Sequence, residues 1–308
     1  MKSERKPKIA VTGATGFIGR QFLEDCTASD LSVSALTRTS RQDEVNLTWV
    51  LGDLLDVTAL SKLIKGVDCV VHLAGATKAL RKGDFFSINT DATKQLAQIC
   101  AENGVKHFVF LSSLAATRPS VSSYASSKSA AEAALSEMSC NMKITVIRAP
   151  AVLGPHDSAT YPLFANLSKG FLPIPGPAKH FRFSIIDVVD LSKLLLSIAC
   201  KDCEHEPVIT PYGHESIGWQ DVANSASRSL NRPIRQFVVP SPIIAFAGRA
   251  TDIIARISGK AQVFSSEKLQ EMKAGDWIAS SPVEQPLALD ETMQRCLEPF
   301  LNRGKQAA

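Results

Sequence analysis

The run Lys8-Ile9-Ala10-Val11-Thr12-Gly13-Ala14-Thr15-Gly16-Phe17-Ile18-Gly19 decides how the rest of the chain is read. A short apolar strand pattern is followed at once by glycines at 13, 16 and 19, and then by an apolar helical stretch through Phe22 and Leu23. Glycine spacing alone says little; between a strand and a helix it becomes a phosphate site. Gly13 permits the tight turn out of the strand, Gly16 lets the backbone approach a pyrophosphate, and Gly19 allows close packing of helix on sheet. The helix N-terminus then offers unpaired N–H groups to the anion. Thr15, Phe17 and Ile18 complete a loop expected to line a bound dinucleotide.

Outward from this run the same architecture repeats. Strand patterns at 31–36, 47–51, 68–73, 105–111 and 143–147 alternate with helical patterns at 57–64, 85–102 and 124–138. Strands with continuous apolar cores between helices mean parallel pairing covered on both faces. The expected fold class is α/β, a Rossmann-type doubly wound parallel sheet with right-handed crossovers and a smaller, mostly helical C-terminal substrate lobe. After Arg148-Ala149-Pro150-Ala151-Val152-Leu153-Gly154-Pro155 the regular beat stops, and Pro173, Pro175, Gly176 and Pro177 suit a rigid cleft wall. A strand at 181–186 and a helix at 188–200 read as a return to the sheet. The expected organisation is a dinucleotide-binding domain over 1–154 and 181–200, with the substrate lobe built from 155–180 and 201–308.

Composition limits the function classes. With 308 residues, 45% of them apolar, and a formal charge of +4, the chain is an ordinary globular protein with no extended basic tract for nucleic acid. No apolar run reaches membrane-spanning length, and the segment behind Arg5, Lys6 and Lys8 is broken by Thr12, Gly13 and Thr15, unlike a signal peptide. Seven cysteines, an odd number, suit free thiols in a reducing cytoplasm, the expected location. Cys200-Lys201-Asp202-Cys203 has metal-site spacing, but no second such pair closes a tetrahedral shell, so no metal is expected. The apolar helix at 242–257 reads first as a packed lobe helix. A pocket wall, an oligomer interface (a homodimer) and, least favoured, a membrane-surface contact through Arg249, Arg256 and Lys260 stay open.

Polar residues at the strand ends carry the chemistry. The second strand ends in Leu36-Thr37-Arg38, where a carboxylate would hold ribose hydroxyls; Arg38 instead suits the 2′-phosphate of NADP, although a solvated surface arginine is the plain alternative. Asp53, with Leu54 beside it, is placed to accept from an adenine amino group, whereas Asp56 reads as a helix cap. Leu73-Ala74-Gly75 is small enough for a ligand to pass the backbone. Ser112-Ser113 come immediately beyond the fifth strand, and Tyr124 and Lys128 follow at helical i,i+4 spacing, so phenol and ammonium share a face. A nearby ammonium favours phenolate and is expected to lower the tyrosine pKa.

These segments, with Tyr124-Ala125-Ser126-Ser127-Lys128 and Arg148-Ala149-Pro150, resemble the extended short-chain dehydrogenase/reductase superfamily in its NAD-dependent epimerase/dehydratase branch. The resemblance implies that Ser113 is the catalytic hydroxyl, Tyr124 the acid/base and Lys128 its partner at the nicotinamide ribose. It also implies that Asn89 supports cofactor and proton path. Departures narrow the chemistry: Leu114 and Ala115 stand where sugar dehydratases carry an Asp-Glu pair, and neither transfers a proton. Arg182 lies one position off the register of nucleotide-sugar binders, and the interval from Ser113 to Tyr124 is short. The expected function is an NADP-preferring oxidoreductase interconverting an alcohol and a carbonyl on a small, apolar substrate. The alternatives are a nucleotide-sugar epimerase with retained NAD and a noncatalytic dinucleotide-binding protein.

Overall fold

The computed structural model describes residues 6–200, 206–258, 266–271 and 273–306. The first half runs β1 (Ile9–Thr12), α1 (Phe17–Ala28), β2 (Val33–Thr37), β3 (Leu47–Leu51), α2 (Val57–Leu63), β4 (Cys69–His72), α3 (Lys82–Phe86), α4 (Ala92–Glu102), β5 (His107–Ser113), α5 (Ser123–Ser136) and β6 (Lys143–Ala149). The second continues β7 (Ala151–Leu153), α6 (Tyr161–Leu167), β8 (Phe171–Pro175), β9 (Phe183–Asp187), α7 (Val188–Cys200), β10 (Val208–Ile209), β11 (Pro211–Tyr212) and β12 (His214–Ile217). Then follow α8 (Trp219–Leu230), β13 (Arg235–Val239), α9 (Ser241–Ser258), α10 (Ser266–Glu271), β14 (Ser281–Pro282) and α11 (Leu289–Gln306).

The main sheet has the order β10-β6-β5-β4-β1-β2-β3, and every pairing in it is parallel. Its central strands β1 and β4 are apolar up to their last residues, Thr12 and His72, because both faces are covered. On one face Phe22 of α1 meets Leu191, Leu195 and Ile198 of α7. On the other, Leu60 and Leu63 of α2, Leu96 of α4 and Leu135 of α5 pack on Phe108 and Phe110. Strand order reverses between β1 and β4, which opens a crevice at the carboxyl ends of these two strands, the ligand position in sheets of this kind.

The structure departs from the sequence reading in three places that bear on the site. Ser112 and Ser113 lie inside β5 rather than beyond it. The helix expected over 85–102 is interrupted by a π turn, Ser87–Asp91, between α3 and α4. The strand expected to rejoin the main sheet, now β9, pairs instead with β7 and β12 in a separate three-stranded sheet. Pro150 explains the last: it has no N–H for the ladder, so β6 ends at Ala149 and β7 turns away. Only α7 and the short β10 return to the main layers.

A second core, including Phe164, Leu167, Leu172, Ile185, Val222 and Leu297, holds the lobe together. In the first turns of helix α9 Ile244 is covered, whereas Ile243 and Phe246 face water. Burial pushes the Cys26 and Cys100 thiols up to about 12, so they are inert at neutral pH. Cys203 of the Cys-x-x-Cys pair lies outside the described residues, as do Lys260 and Met272. Among the described residues no cluster of three metal-ligating side chains occurs, and no helix is long and apolar enough to cross a membrane.

Candidate active site at the sheet crevice

The glycine loop is shaped by contact with the end of β4. Gly13 has φ +74°, and a Cβ there would lie 2.6 Å from the Ala74 amide nitrogen. A Cβ on Gly19 would lie 2.2 Å from the Gly13 carbonyl oxygen and 2.7 Å from the Ala14 Cα. The two glycines thus let α1, the β1 turn and the segment Leu73-Ala74-Gly75 cross at backbone distance, as the sequence spacing requires. Gly16 caps α1 without any side-chain hydrogen bond, so the first-turn amides are free of side-chain acceptors. Thr15, Phe17 and Ile18 lie in this turn and the first turn of α1.

Across the crevice, β5 and α5 bring the expected catalytic set together. Alternation along β5 sends Ser112 and Ser113 to opposite sides. The Ser112 hydroxyl donates to Glu132, whose carboxylate is gripped by Arg148 at 2.6 and 3.0 Å, a buried structural network. The Ser113 hydroxyl instead accepts from the Ala115 amide at 3.2 Å and stands beside the Tyr124 phenol, whose pKa it pulls down. Ser122 caps α5 by accepting from the Ala125 amide at 3.1 Å, which fixes the turn that presents Tyr124. The Phe85 ring meets the Tyr124 ring edge-on at 6.2 Å.

Lys128 is buried, with its Nζ donating to the Leu111 carbonyl at 2.9 Å and lying 4.6 Å from the Phe110 ring centre. Burial draws its pKa down to about 8, with Glu132 opposing the shift. The Tyr124 phenol is pushed above its ordinary value by burial, with Ser113 pulling it down and Glu271 adding to the rise. The expected lowering by Lys128 is therefore corrected for this state: the ammonium is turned onto the Leu111 carbonyl, and desolvation decides the sign.

Asn89 sits on the π turn, fully buried. Its side-chain oxygen accepts from the Ala76 amide at 2.7 Å, and its Nδ2 donates to the Ala76 carbonyl and to the Ser127 hydroxyl, each at 3.0 Å. It thereby ties the strand exit of β4 to the catalytic helix. A Cβ on Gly75 would lie 3.1 Å from the Asn89 oxygen and 3.2 Å from the Lys128 nitrogen, so these groups converge on one small opening.

Sequence reasoning missed the polar chain beneath. The Thr93 hydroxyl donates to the Asn89 carbonyl at 2.7 Å, so at 2.9 Å it accepts from His72 Nε2. The Nδ1 of His72 then accepts from Thr12 at 2.6 Å. This assigns the Nε2–H tautomer, and burial, helped by Lys128, holds the imidazole neutral by drawing its pKa down to about 3. His72 closes the fully apolar-looking β4 pattern, and Thr93 lies two positions into α4; only their positions one strand-end and one turn from the site marked them.

The adenosine end is less built. Arg38 is exposed beyond β2, and Asp53 is exposed, its carboxylate accepting from the Leu55 amide at 2.8 Å as a local turn. Leu54 packs partly against the core beside it. Asp56 caps α2 by accepting from Ala59 at 2.9 Å, as expected. The crevice therefore fits a dinucleotide at its pyrophosphate and nicotinamide ends through backbone crossings that leave no room for a Cβ. An exposed Arg38 does not by itself demand a 2′-phosphate.

In the lobe, Arg182 is engaged by Asp221 at 3.2 Å and by the Ser216 carbonyl at 3.0 Å. Arg118, between Ser113 and Tyr124, donates to the Ala274 and Asp276 carbonyls at 2.6 Å each and stacks 4.5 Å over Trp277. Glu267 of α10 accepts from the Ser123 amide and hydroxyl at 2.9 and 2.8 Å, and Glu271 accepts from Ser122 at 2.8 Å. The short catalytic interval is thus closed by the C-terminal segment 267–277, a contact between residues about 150 positions apart that no local pattern announces.

Comparison with known proteins follows the same lines. The chain is 28% identical over 288 residues to a ceramide reductase of Caulobacter vibrioides, covering 91% of this chain and 89% of that protein. It is 24% identical over 334 residues to a UDP-glucose 4-epimerase of Vibrio cholerae, covering 98% of each. Among solved structures, WbmH of Bordetella bronchiseptica in complex with NAD+ superposes with a TM-score of 0.72 at 19% identity, over 97% of this chain and 100% of that one. MoeE5 in complex with UDP-glucuronic acid and NAD gives 0.68 at 20%, over 96% and 99%. These likenesses show the fold.

They also correct three expectations. The NADP preference drawn from Arg38 is withdrawn, because structures of this fold were solved with NAD and Arg38 is merely exposed. The NADP-dependent alcohol–carbonyl oxidoreductase is withdrawn as the leading activity, and with it the apolar substrate, since the relatives and structures include proteins named for, or bound to, polar UDP-sugars. The one-position offset of Arg182 had weighed against a nucleotide sugar; with Arg182 already spent on Asp221 and Ser216, its register carries no such weight. The model of the NAD dependent epimerase/dehydratase family matches residues 9–196, which span both halves of the crevice just described, and the chain belongs to that family.

Proposed function

We propose that the protein is an NAD-dependent epimerase acting on a diphosphate-linked sugar, with the dinucleotide retained through the cycle. The observation that carries this reading is the Ser113–Tyr124 hydroxyl pair beside Gly75, Asn89 and Lys128, with no acid or base at Leu114 or Ala115. A site with one proton-transferring hydroxyl suits a reaction that removes a proton and returns it, whereas water elimination needs a second acid/base pair. NAD, when bound, would take up a hydride from the sugar carbon and give it back. Ser113 orients the sugar hydroxyl, and Tyr124 accepts and later returns its proton. Lys128, whose pKa near 8 leaves its charge responsive near neutrality, supplies the positive field that favours the phenolate once it turns from Leu111. Gly13, Gly16 and Gly19 hold the pyrophosphate, and Asn89 keeps the Ala76 segment and α5 in register.

The similarity to a UDP-glucose 4-epimerase over nearly the whole chain supports this reading. The test is to denature purified protein, identify the released dinucleotide, and then assay UDP-hexoses for interconversion without net NADH. Released NAD and a redox-neutral exchange of epimers are expected. Released NADP, or stoichiometric reduction of an added carbonyl by NADPH, would overturn it.

A further inference from the structure

The pair β8 and β13 forms a small parallel sheet with two unlike faces. Its register sets Phe171 beside Arg235, Pro173 beside Phe237 and Pro175 beside Val239, so these six side chains share one face. Leu172 and Ile174 point the other way, into the lobe core. Phe237 is 50% and Phe171 42% exposed. Through Pro240 the strand leads directly into α9, where Ile243 and Phe246, three apart and so on one side, also face out; Phe246 is 76% exposed. Ile244 and Gly248 face inward. An aromatic and aliphatic surface of this kind, carrying few hydrogen-bonding groups, needs a cover.

The stretches that carry it are mainly basic. Residues 158–186 and 222–251 contain Lys169, Lys179, Arg182, Arg228, Arg232, Arg235 and Arg249 and no Asp or Glu, with Asp157, Asp187, Asp221 and Asp252 at their borders. Arg182 and Arg228 are neutralised from outside these runs, by Asp221 and Asp290. Arg232 donates to the Ser168 carbonyl and its guanidinium carbon comes within 3.8 Å of a Cβ placed on Gly170, while the Arg235 amide donates to the Gly170 carbonyl at 2.9 Å. Lys169, Arg232 and Arg235 therefore gather at the start of the strand pair, next to exposed Phe171.

We propose that this surface docks on an anionic lipid bilayer, the rings of Phe171, Phe237 and Phe246 entering the headgroup boundary and the three cations meeting lipid phosphates. Aromatic side chains fringed by Lys169, Arg232 and Arg235 match both components of interfacial binding. A second copy of the chain would bring like charges together. The docking surface reaches the catalytic helix: α9 packs on α10, whose Glu267 holds Ser123 at the start of α5. A sugar diphosphate carried on a lipid would then be met at the membrane. Docking stands independently of the proposed reaction.

The test is flotation of the full chain with phosphatidylcholine vesicles, with and without phosphatidylglycerol, at low and high salt. Co-flotation with the anionic vesicles, weakened by salt and absent with phosphatidylcholine alone, is expected. Phe237→Ser with Phe246→Ser should reduce binding at least about tenfold, and Arg232→Glu with Arg235→Glu about as much. These positions are exposed, so unchanged thermal unfolding should verify the fold of each variant. No flotation of the wild type at low salt, flotation unaffected by the phenylalanine changes, or a Phe246-dependent dimer in sedimentation without vesicle binding would overturn the docking. Flotation without any epimer exchange would count against the reaction alone.

Discussion

Replacing Gly19 with alanine puts a methyl carbon where the turn between β1 and α1 has no room. The added atom would sit 2.2 Å from the Gly13 carbonyl oxygen and 2.7 Å from the Ala14 Cα, and both are backbone atoms that cannot rotate aside. Overpacking of this severity costs about 3 kcal/mol, and the better helix preference of alanine returns about 1. A net loss of about 2 kcal/mol should lower the Tm of a chain of this length by roughly 3 °C. The displaced α1 amides should also release the dinucleotide, measured as NAD per protein after purification. Gly83→Ala is the control: it lies in α3 with nothing within 4 Å of the added carbon, so its Tm should be unchanged or slightly raised. If folded Gly19→Ala keeps both the wild-type Tm and the wild-type NAD content, the backbone crossing inferred for this loop is wrong.

Tyr124→Phe should keep NAD while turnover falls at least about 100-fold, because the hydroxyl that takes and returns the substrate's proton is gone; near-wild-type turnover at saturation would remove Tyr124 from the mechanism. Glu132→Gln strips Arg148 of its carboxylate and should cost about 2 kcal/mol in urea unfolding, less than for a fully buried pair because Arg148 is partly open to water. Burial draws Lys128 to about 8, so between that pH and the ordinary lysine value the unfolded chain binds a proton the native protein has released. Stability from this group therefore rises with pH across that window, and a Lys128→Met variant should lose that rise in paired urea titrations. Arg38→Ala should leave NAD content within about twofold of wild type, and a larger loss would return Arg38 to the site.

What the sequence made legible was local. The glycine loop and the capping role of Asp56 each depend on residues whose geometry follows from strand–turn–helix order. Arg38 misled because a side chain at a strand end reads the same whether it holds a phosphate or water. The π turn at Asn89 was invisible, since one extra residue in a helix leaves apolar spacing almost unchanged over a single turn. The sign of the Tyr124 shift was missed because it depends on how deeply the phenol is covered, a property of Phe85 and α10 together rather than of the i,i+4 spacing. The C-terminal closure by Glu267 and Arg118 rests on contacts across the chain that no periodicity encodes.

The return of α7 and β10 to the main sheet has a consequence for protein engineering. Leu191, Leu195 and Ile198 cover the face on which Phe22 packs, and Val208 and Ile209 pair with Val146 and Ile147. A fragment cut after Pro150 would expose that apolar face and strip the outer edge of β6 of its partner at Val146 and Ile147, a template for sticking to other chains. During synthesis the ribosome must deliver some sixty further residues before the edge can be sealed, so the nascent first half waits in an adhesive state. The nucleotide-binding half is thus no transplantable cassette: fusions and truncations must carry the chain through Ile209 to keep it soluble.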